Sequence, residues 1–163
     1  MRQVLALLGR GAGAAVLLGS PAVWGADQVT GVARVIDGDT LAVQGVRVRL
    51  WAVDAPETDQ TCQHASGQTW PCGRAATEAL KERLGDQPVT CRRRDTDQYG
   101  RMVAVCSVDD TDLGAWLLIN GWAIPYWRKV PAYSELERVA RSNRAGLWSG
   151  SFDRPSDWRR ARR

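Results

Sequence analysis

The sequence predicts an α+β protein organised around a small β-barrel. About five segments are rich in β-branched residues or alternate in polarity, and hairpin turns separate several of them. Helical segments with an apolar stripe lie between these strands and after them. The 163 residues suffice for one domain with a sizeable core. Strands with helices inserted among them in this way are typical of a small barrel.

Three consecutive strands begin the predicted barrel, and tight turns connect them. They are predicted at residues 29–36, 40–43 and 46–51, with turns at Asp37-Gly38 and Gln44-Gly45. Because side chains alternate between the two faces of a strand, Val48 and Leu50 share the packed face and Arg49 projects from the other. Pro56 then ends the extended segment and presents Glu57 from a loop.

A second hairpin and three helices complete the predicted fold. Residues 58–72 are polar and contain glycine, which indicates a loop. The later elements are predicted as a helix at residues 73–84, strands at 89–94 and 102–108, and helices at 112–120 and 132–144. Gly121 and Gly146 follow the last two helices, as expected for residues that end a helix.

The first 25 residues have the pattern of a secretory signal peptide. Arg2 and Arg10 bound a short basic region, an uncharged Ala/Val/Leu/Gly run follows, and cleavage is expected near Gly25. A buried amphipathic helix is the alternative, but the run is rich in glycine and has no polar face. It is also shorter than the ~20 residues of a membrane span. We therefore expect a secreted or periplasmic protein with no membrane contact after cleavage.

The rest of the chain divides into a predicted domain, residues 26–150, and an arginine- and tryptophan-rich tail, residues 151–163. Removal of the signal takes away 2 of the 22 basic residues and none of the 18 acidic ones, so the net charge falls from +4 to about +2. This mild excess is compatible with a nucleic-acid partner without establishing one. We expect the arginine run of the tail to be a solvated or frayed terminus and the protein to be a monomer.

Four cysteines remain in the mature chain, and an even number behind a signal peptide predicts two disulfides. Zinc binding is the alternative, but the spacings contain no C-x-x-C pair and the chain has one histidine. Of the three possible connectivities we predict Cys62–Cys72, which would staple the polar loop, and Cys91–Cys106. The second pair would face each other across a hairpin that turns near Gln98-Tyr99.

The candidate functional residues are acidic side chains and arginines that fall close together in the sequence. They are Asp37, Asp39, Arg49, Asp54 and Glu57, joined by Arg101 from the second hairpin. Carboxylates hold hard cations such as Ca²⁺, and arginine forks bind phosphate oxygens. The single histidine, His64, lies in a polar loop and is expected to be solvated. A general base must then be a carboxylate, a metal-bound hydroxide or both. The set favours metal-dependent phosphodiester hydrolysis.

Other interpretations of these motifs stay open on the residues alone. Asp37-Gly38-Asp39-Thr40 is most often only a hairpin turn. A two-carboxylate glycosidase is an alternative, but such a site has no need of two flanking arginines. A non-catalytic nucleic-acid-binding barrel would have no need of the acidic set. An interaction domain that uses the eight tryptophans as a partner surface is disfavoured because most of them fall at apolar spacings.

The motifs together resemble the thermonuclease family of the staphylococcal nuclease type. The resemblance extends over residues 29–150 and is carried by segments 35–40, 49–57, 97–101, 115–123 and 145–148. It implies a five-stranded OB-fold-type barrel with about three helices, whose open face binds an oligonucleotide. It also implies Ca²⁺-dependent hydrolysis of DNA and RNA to 3′-phosphorylated products.

The resemblance also assigns roles to individual residues. Calcium would be held by Asp39, Asp54 and the backbone carbonyl of Ala55, with Asp37 and Thr40 beside these ligands. Glu57 would activate water, Arg49 and Arg101 would bind the scissile phosphate, and Tyr99 would contact a terminal phosphate. Tyr126 and Trp127 occupy the region of the family's nucleotide pocket, where they would stack on a base unless they are buried in the core. The chain departs from the founding member at Ala55, where that protein has threonine, and at Gln98, where it has lysine.

Overall fold

The computed structural model describes residues 27–126 and 130–162. The predicted signal peptide, residues 1–25, and the predicted base-stacking residue Trp127 lie outside the described residues. Both therefore stay predictions. No helix within the described ranges is long and apolar enough to cross a membrane.

Eleven strands are present in the described part of the chain, and five of them form a closed barrel. The strands are β1 (Gln28–Asp37), β2 (Thr40–Val43), β3 (Val46–Leu50), β4 (Val53–Asp54), β5 (Cys62–His64), β6 (Thr69–Trp70), β7 (Pro88–Thr96), β8 (Met102–Val108), β9 (Thr111–Asp112), β10 (Ile124–Pro125) and β11 (Gly150–Ser151). In the main sheet β3, β2, β1, β7 and β8 are neighbours in that order, and a parallel pairing of β3 with β8 closes the ring. The predicted α+β class and five-stranded OB-type barrel are confirmed.

Four α-helices pack around the barrel, one more than predicted. They are α1 (Cys72–Leu84), α2 (Leu113–Ile119), α3 (Pro131–Ser142) and α4 (Pro155–Arg160), with a short 3₁₀ helix at Gly146–Ser149. The additional helix α4 includes Arg159 and Arg160, the first two residues of the arginine run that is expected to be solvated or frayed. These two residues are helical and not frayed, and Arg160 is exposed. The predicted loop at residues 58–72 also contains two short strands, β5 and β6.

Two disulfides staple the fold, and they are the pairs expected from the sequence. Cys91 and Cys106 are direct partners across the antiparallel β7–β8 hairpin. Cys62 and Cys72 connect β5 to the first residue of α1. The second disulfide belongs to a small apolar cluster outside the barrel core, formed by Cys62, Cys72, Ile124 and Leu147 with Trp70, Trp148 and Phe152 against it. This satellite cluster fixes the segment that leads into α4.

The main core fills the barrel with aliphatic side chains from the strands and from the faces of α1 and α2. Val48 and Leu50 of β3 are almost completely buried, at 0% and 1% exposure, whereas Arg49 between them is half-buried. The alternation expected for β3 is therefore observed, and it directs Arg49 away from the core. Arg49 lies opposite Thr40, the first residue of β2. Thr40 directly follows the turn between β1 and β2, where Asp37 and Asp39 are located.

Candidate active site

Most of the charged residues identified in the sequence line one cleft of about 520 Å³. Its lining includes Asp37, Asp39, Arg49, Glu57, Tyr99, Arg101, Tyr126 and Arg159. Asp54 reaches the same place through its contacts with two of these arginines. The cleft thus collects side chains from the β1–β2 turn, β3, the loop after β4, the β7–β8 hairpin and the C-terminal helix.

Asp39 is buried beneath the β1–β2 turn, with 5% of its surface exposed. The backbone N–H of Asp39 donates to Asp37 Oδ1 at 3.0 Å, which fixes the turn. Thr40 Oγ1 donates to Asp39 Oδ1 at 3.0 Å, and the N–H of Ala55 donates to Oδ2 at 3.2 Å. Gly38 lies so close to Ala55, the residue after β4, that a Cβ added to it would be 2.7 Å from the Cβ of Ala55. These contacts hold the Asp39 carboxylate next to Asp54.

Asp39 and Asp54 converge on a single guanidinium nitrogen. Arg49 Nη2 lies 3.0 Å from Asp39 Oδ2 and 3.0 Å from Asp54 Oδ1. Only 2% of Asp54 is exposed, so both carboxylates are largely removed from water. Buried carboxylates need a positive partner, because the loss of solvation otherwise exceeds what hydrogen bonds return. The two aspartates and Arg49 therefore form one electrostatic unit.

Burial raises the pKa of the Asp39 carboxyl from its ordinary 3.8 to about 7, against the opposing effect of Arg49. Between these two pH values the native protein holds a proton that the unfolded chain has released. The stabilising contribution of protonated Asp39 is therefore complete below pH 3.8 and is lost as the pH rises through about 7.

The parent protein in chelator should accordingly lose stability relative to Asp39→Asn between pH 4 and pH 7, by up to about 1.4 kcal/mol per pH unit. Asparagine keeps the shape of the side chain and does not titrate. Urea unfolding of both proteins at each pH measures the difference. A difference that is independent of pH would contradict the raised pKa.

Glu57 is held at the mouth of the cleft by a buried glutamine and by helix α1. Its backbone N–H donates to Gln60 Oε1 at 3.2 Å, and its carbonyl accepts from the N–H of Gln60 at 2.8 Å. Gln60 is completely buried, and its carbonyl accepts from the N–H of Gly73 at 3.1 Å. A Cβ on Gly73 would lie 1.7 Å from the Glu57 carbonyl oxygen, so the turn packs directly against the helix backbone.

The β7–β8 hairpin brings Arg101 and Tyr99 to the same cleft. Arg101 Nε donates to Asp97 Oδ2 at 2.7 Å, and the N–H groups of Tyr99 and Arg101 donate to Asp97 Oδ1. The Arg101 guanidinium carbon lies 5.6 Å from the centre of the Tyr99 ring. Tyr99 itself is 68% exposed. Asp97 thus organises a turn that places Arg101 in the cleft and exposes the ring of Tyr99 to solvent.

Tyr126 flanks Arg49 on the other side of the cleft. Its ring centre is 5.6 Å from the Arg49 guanidinium carbon, and its backbone N–H donates to the carbonyl of Ala52 at 2.8 Å. Tyr126 is 38% exposed, so it is not a core residue. Its side chain therefore lines the cleft beside Arg49.

Arg159 is a further arginine in the site, and it comes from helix α4. Nη1 lies 2.5 Å from Glu57 Oε1, and Nη2 lies 3.1 and 3.2 Å from the two carboxylate oxygens of Asp54. The predicted site contains neither Arg159 nor Gln60. No local motif marks them: Arg159 stands in a run of arginines 105 residues after Asp54, and Gln60 lies in a polar loop.

The donor chemistry of the cleft suits a hard divalent cation. Across residues 27–126 and 130–162 no group of three or more Asp, Glu, His or Cys side chains is arranged to hold a metal ion. Two carboxylates nevertheless converge on one positive charge, and cations such as Ca²⁺ and Mg²⁺ complete their coordination with backbone carbonyls, water and substrate phosphate. Asp39 and Asp54 therefore fit such an ion, with part of its coordination left for other oxygen ligands.

An OB-type barrel whose cleft combines paired, buried carboxylates with arginines defines a class of barrel nucleases. The comparison with known families agrees with this class. The model of the staphylococcal nuclease homologue family matches residues 47–150. The chain belongs to that family, as the motifs of the sequence predicted.

Individual relatives support the same class. A micrococcal nuclease of Shigella flexneri is 35% identical over an alignment of 179 positions, which covers 99% of this chain and 97% of that protein. A succinoglycan biosynthesis protein, ExoI, of Rhizobium meliloti is 37% identical over 141 residues, with 85% of this chain and 74% of that protein covered. An uncharacterized endonuclease of Escherichia coli O157:H7 is 32% identical over 125 residues, with 72% and 75% covered. The family and these relatives support a nuclease function with nucleic acid as the substrate.

Proposed function

We propose that this protein is a Ca²⁺-dependent nuclease that hydrolyses phosphodiester bonds of DNA and RNA to 3′-phosphorylated products. The observation that carries the proposal is the convergence of Asp39 and Asp54 on one nitrogen of Arg49. This arrangement offers a cation two carboxylates and leaves an arginine fork beside them for a phosphate group. The nuclease family of the chain supplies the class of substrate.

The proposed metal ligands are Asp39, Asp54 and the backbone carbonyl of Ala55, with Asp37 and Thr40 beside them. Asp37 fixes the turn through its bond to the N–H of Asp39, and Thr40 donates to the Asp39 carboxylate. A bound Ca²⁺ would polarise a phosphate oxygen and offset negative charge in the transition state. Burial of both aspartates strengthens their attraction to that charge.

Binding of the phosphate and activation of water would be carried out by side chains of the protein. Arg49 and Arg101 bind the scissile phosphate and stabilise the charge that grows on its oxygens during in-line attack. Glu57 accepts the proton of the attacking water, because it is the carboxylate at the mouth of the cleft and is 39% exposed. Water attacks phosphorus on the side opposite the 5′ oxygen, the bond from phosphorus to that oxygen breaks, and the departing oxygen takes up a proton from solvent. The phosphate therefore stays on the 3′ end.

Substrate contacts outside the reacting group are proposed for the aromatic residues of the rim. Tyr99 is displayed at the tip of the β7–β8 hairpin beside Arg101, where its hydroxyl can meet a neighbouring phosphate. Tyr126 lies beside Arg49, and we propose that its ring stacks on a base. We propose the same role for Trp127, which follows Tyr126 in the chain.

The proposed location is outside the cytoplasm, either in the periplasm or in the medium. Two disulfides are formed in the structure, and such bonds persist in oxidising compartments. Residues 1–25 carry the sequence pattern of a cleaved signal. We further propose that the mature protein acts as a monomer.

One assay tests the chemistry directly. The mature protein, residues 26–163, is incubated with single- and double-stranded DNA and with RNA in Ca²⁺, in Mg²⁺ or in chelator. We expect cleavage in Ca²⁺, loss of cleavage in chelator, and fragment ends that a polymerase extends only after phosphatase treatment. Binding without cleavage in every condition would instead favour a non-catalytic nucleic-acid-binding barrel. Equal rates in Mg²⁺ and Ca²⁺ would contradict dependence on calcium.

A further inference from the structure

The C-terminal helix contributes a cation that contacts two carboxylates with proposed catalytic roles. Arg159 places one arm of its guanidinium on Glu57, at 2.5 Å, and the other on both oxygens of Asp54, at 3.1 and 3.2 Å. Among the described residues, Arg159 is the one side chain that the structure records against the Glu57 carboxylate. The Arg159 guanidinium therefore fixes both the orientation of the Glu57 carboxylate and its distance from the Asp54 carboxylate.

Helix α4 is held against the site by several independent contacts. Gly150 and Ser151 of β11 pair with His64 and Gln63 of β5, which the Cys62–Cys72 disulfide fixes to α1. Phe152 then packs into the satellite apolar cluster and meets the Trp148 ring edge-on at 4.9 Å between centres. The segment is thus anchored before the helix begins.

Buried Gln60 connects this anchored segment to the loop that carries Glu57. Its side-chain Nε2 donates to the Asp153 carbonyl at 2.7 Å, and its Oε1 accepts from the Glu57 N–H. Pro155, at the start of α4, is buried as well. One glutamine side chain therefore fixes the base of α4 and the backbone of Glu57 relative to each other.

We propose that Arg159 is a positioning residue for the nuclease reaction, which holds the Glu57 carboxylate in line with the attacking water beside Asp54. The proposal rests on the proposed function, in particular on the role of Glu57 as the base. Glu57 is 39% exposed and would otherwise rotate freely among its rotamers at the mouth of the cleft. A fork that contacts both carboxylates restricts that freedom, and its Nη2 shares Asp54 Oδ1 with Arg49 Nη2.

Because Arg159 is positively charged, we infer that it does not help to bind the metal ion. A guanidinium on Asp54 lowers the negative charge that a divalent cation meets there. Removal of Arg159 should therefore leave Ca²⁺ affinity unchanged or slightly higher, while the orientation of Glu57 is lost. A displacement of a reacting group by about 1 Å lowers rates about 10²-fold. A fall in kcat without weaker Ca²⁺ binding is the expected signature.

Arg159→Gln is the informative variant, and Arg160→Gln is its matched control. Arg160 follows in the same helix, is 76% exposed and pairs with Asp157 rather than with the cleft. We expect Arg159→Gln to lower kcat by about 10- to 100-fold, with KM and the calorimetric Kd for Ca²⁺ within about threefold of the parent. Arg159→Lys should recover part of kcat. Arg160→Gln should behave as the parent does.

A double-mutant cycle with Glu57→Gln separates positioning from a general structural effect. If Arg159 acts through Glu57, Arg159→Gln lowers kcat in the parent and has little further effect in Glu57→Gln. Full additivity of the two losses would overturn the proposal. So would a kcat in Arg159→Gln within twofold of the parent or above it, or a loss that disappears at saturating Ca²⁺. An inactive parent protein overturns the proposed function itself, whereas an active parent with an active Arg159→Gln overturns this inference alone.

Discussion

Replacement of Arg49 by lysine is expected to lower kcat by about 10²- to 10³-fold while the barrel stays folded. Arg49 Nη2 lies 3.0 Å from a carboxylate oxygen of Asp39 and of Asp54, and the rest of its fork remains for a phosphate. Lysine keeps the charge beside the aspartates but supplies a single ammonium in place of a planar fork. The loss should therefore fall mainly on kcat, which steady-state cleavage of an oligonucleotide measures.

Arg47→Lys is the matched control for this experiment. Arg47 lies two residues earlier on the same face of β3, is exposed, and is outside the residues that line the cleft. It should keep the parental kcat. Arg49→Ala adds a second effect, because two buried carboxylates lose a positive partner, and breaking a buried ion pair costs about 3–5 kcal/mol. An Arg49→Lys enzyme with parental kcat would contradict the role of the fork.

Local patterns in the sequence predict the part of the site that β1, β2 and β3 build. Asp39 is the second residue of the turn between β1 and β2, which is Gly38-Asp39 and not Asp37-Gly38 as predicted. Arg49 lies on β3, opposite the first residue of β2, so alternation and hairpin register bring Asp39 and Arg49 together. The Cys91–Cys106 pairing follows from the same reasoning, because it depends on the register of a single hairpin. Residues that are close in the sequence determine geometry of this kind.

Local sequence patterns do not predict helix α4 or the contribution of its Arg159 to the site. Its six residues have no long apolar stripe, and the run of arginines has the composition of a solvated terminus. The helix is placed by the bond from Gln60 to the Asp153 carbonyl, 93 positions apart, and by the packing of Phe152 against the satellite cluster, which no local pattern reveals. Gln60 was missed for the same reason, since its burial depends on both α1 and the C-terminal segment.

Glycine at position 73 is expected to be as important to the reaction as the charged residues. Gly73→Ala should lower kcat by about 10²-fold. Alanine is the better helix former by about 1 kcal/mol, so local propensity alone favours the change. A Cβ at this position, however, would lie 1.7 Å from the Glu57 carbonyl oxygen and 2.6 Å from its carbon. Contacts this short are impossible, so the Glu57 turn must move away from α1.

That displacement should also strain the turn, because the N–H of Gly73 donates to Gln60 and Gln60 holds both Glu57 and Asp153. Urea unfolding is expected to show a loss of about 1–3 kcal/mol, typical of an overpacked site. Ala79→Gly is the matched control: it costs about 1 kcal/mol of helix stability in the same helix and leaves the Glu57 turn in place. Its kcat should equal that of the parent. A Gly73→Ala protein that is destabilised but cleaves at the parental rate would show that the position of Glu57 does not control the reaction, and Arg159 would then have nothing to position.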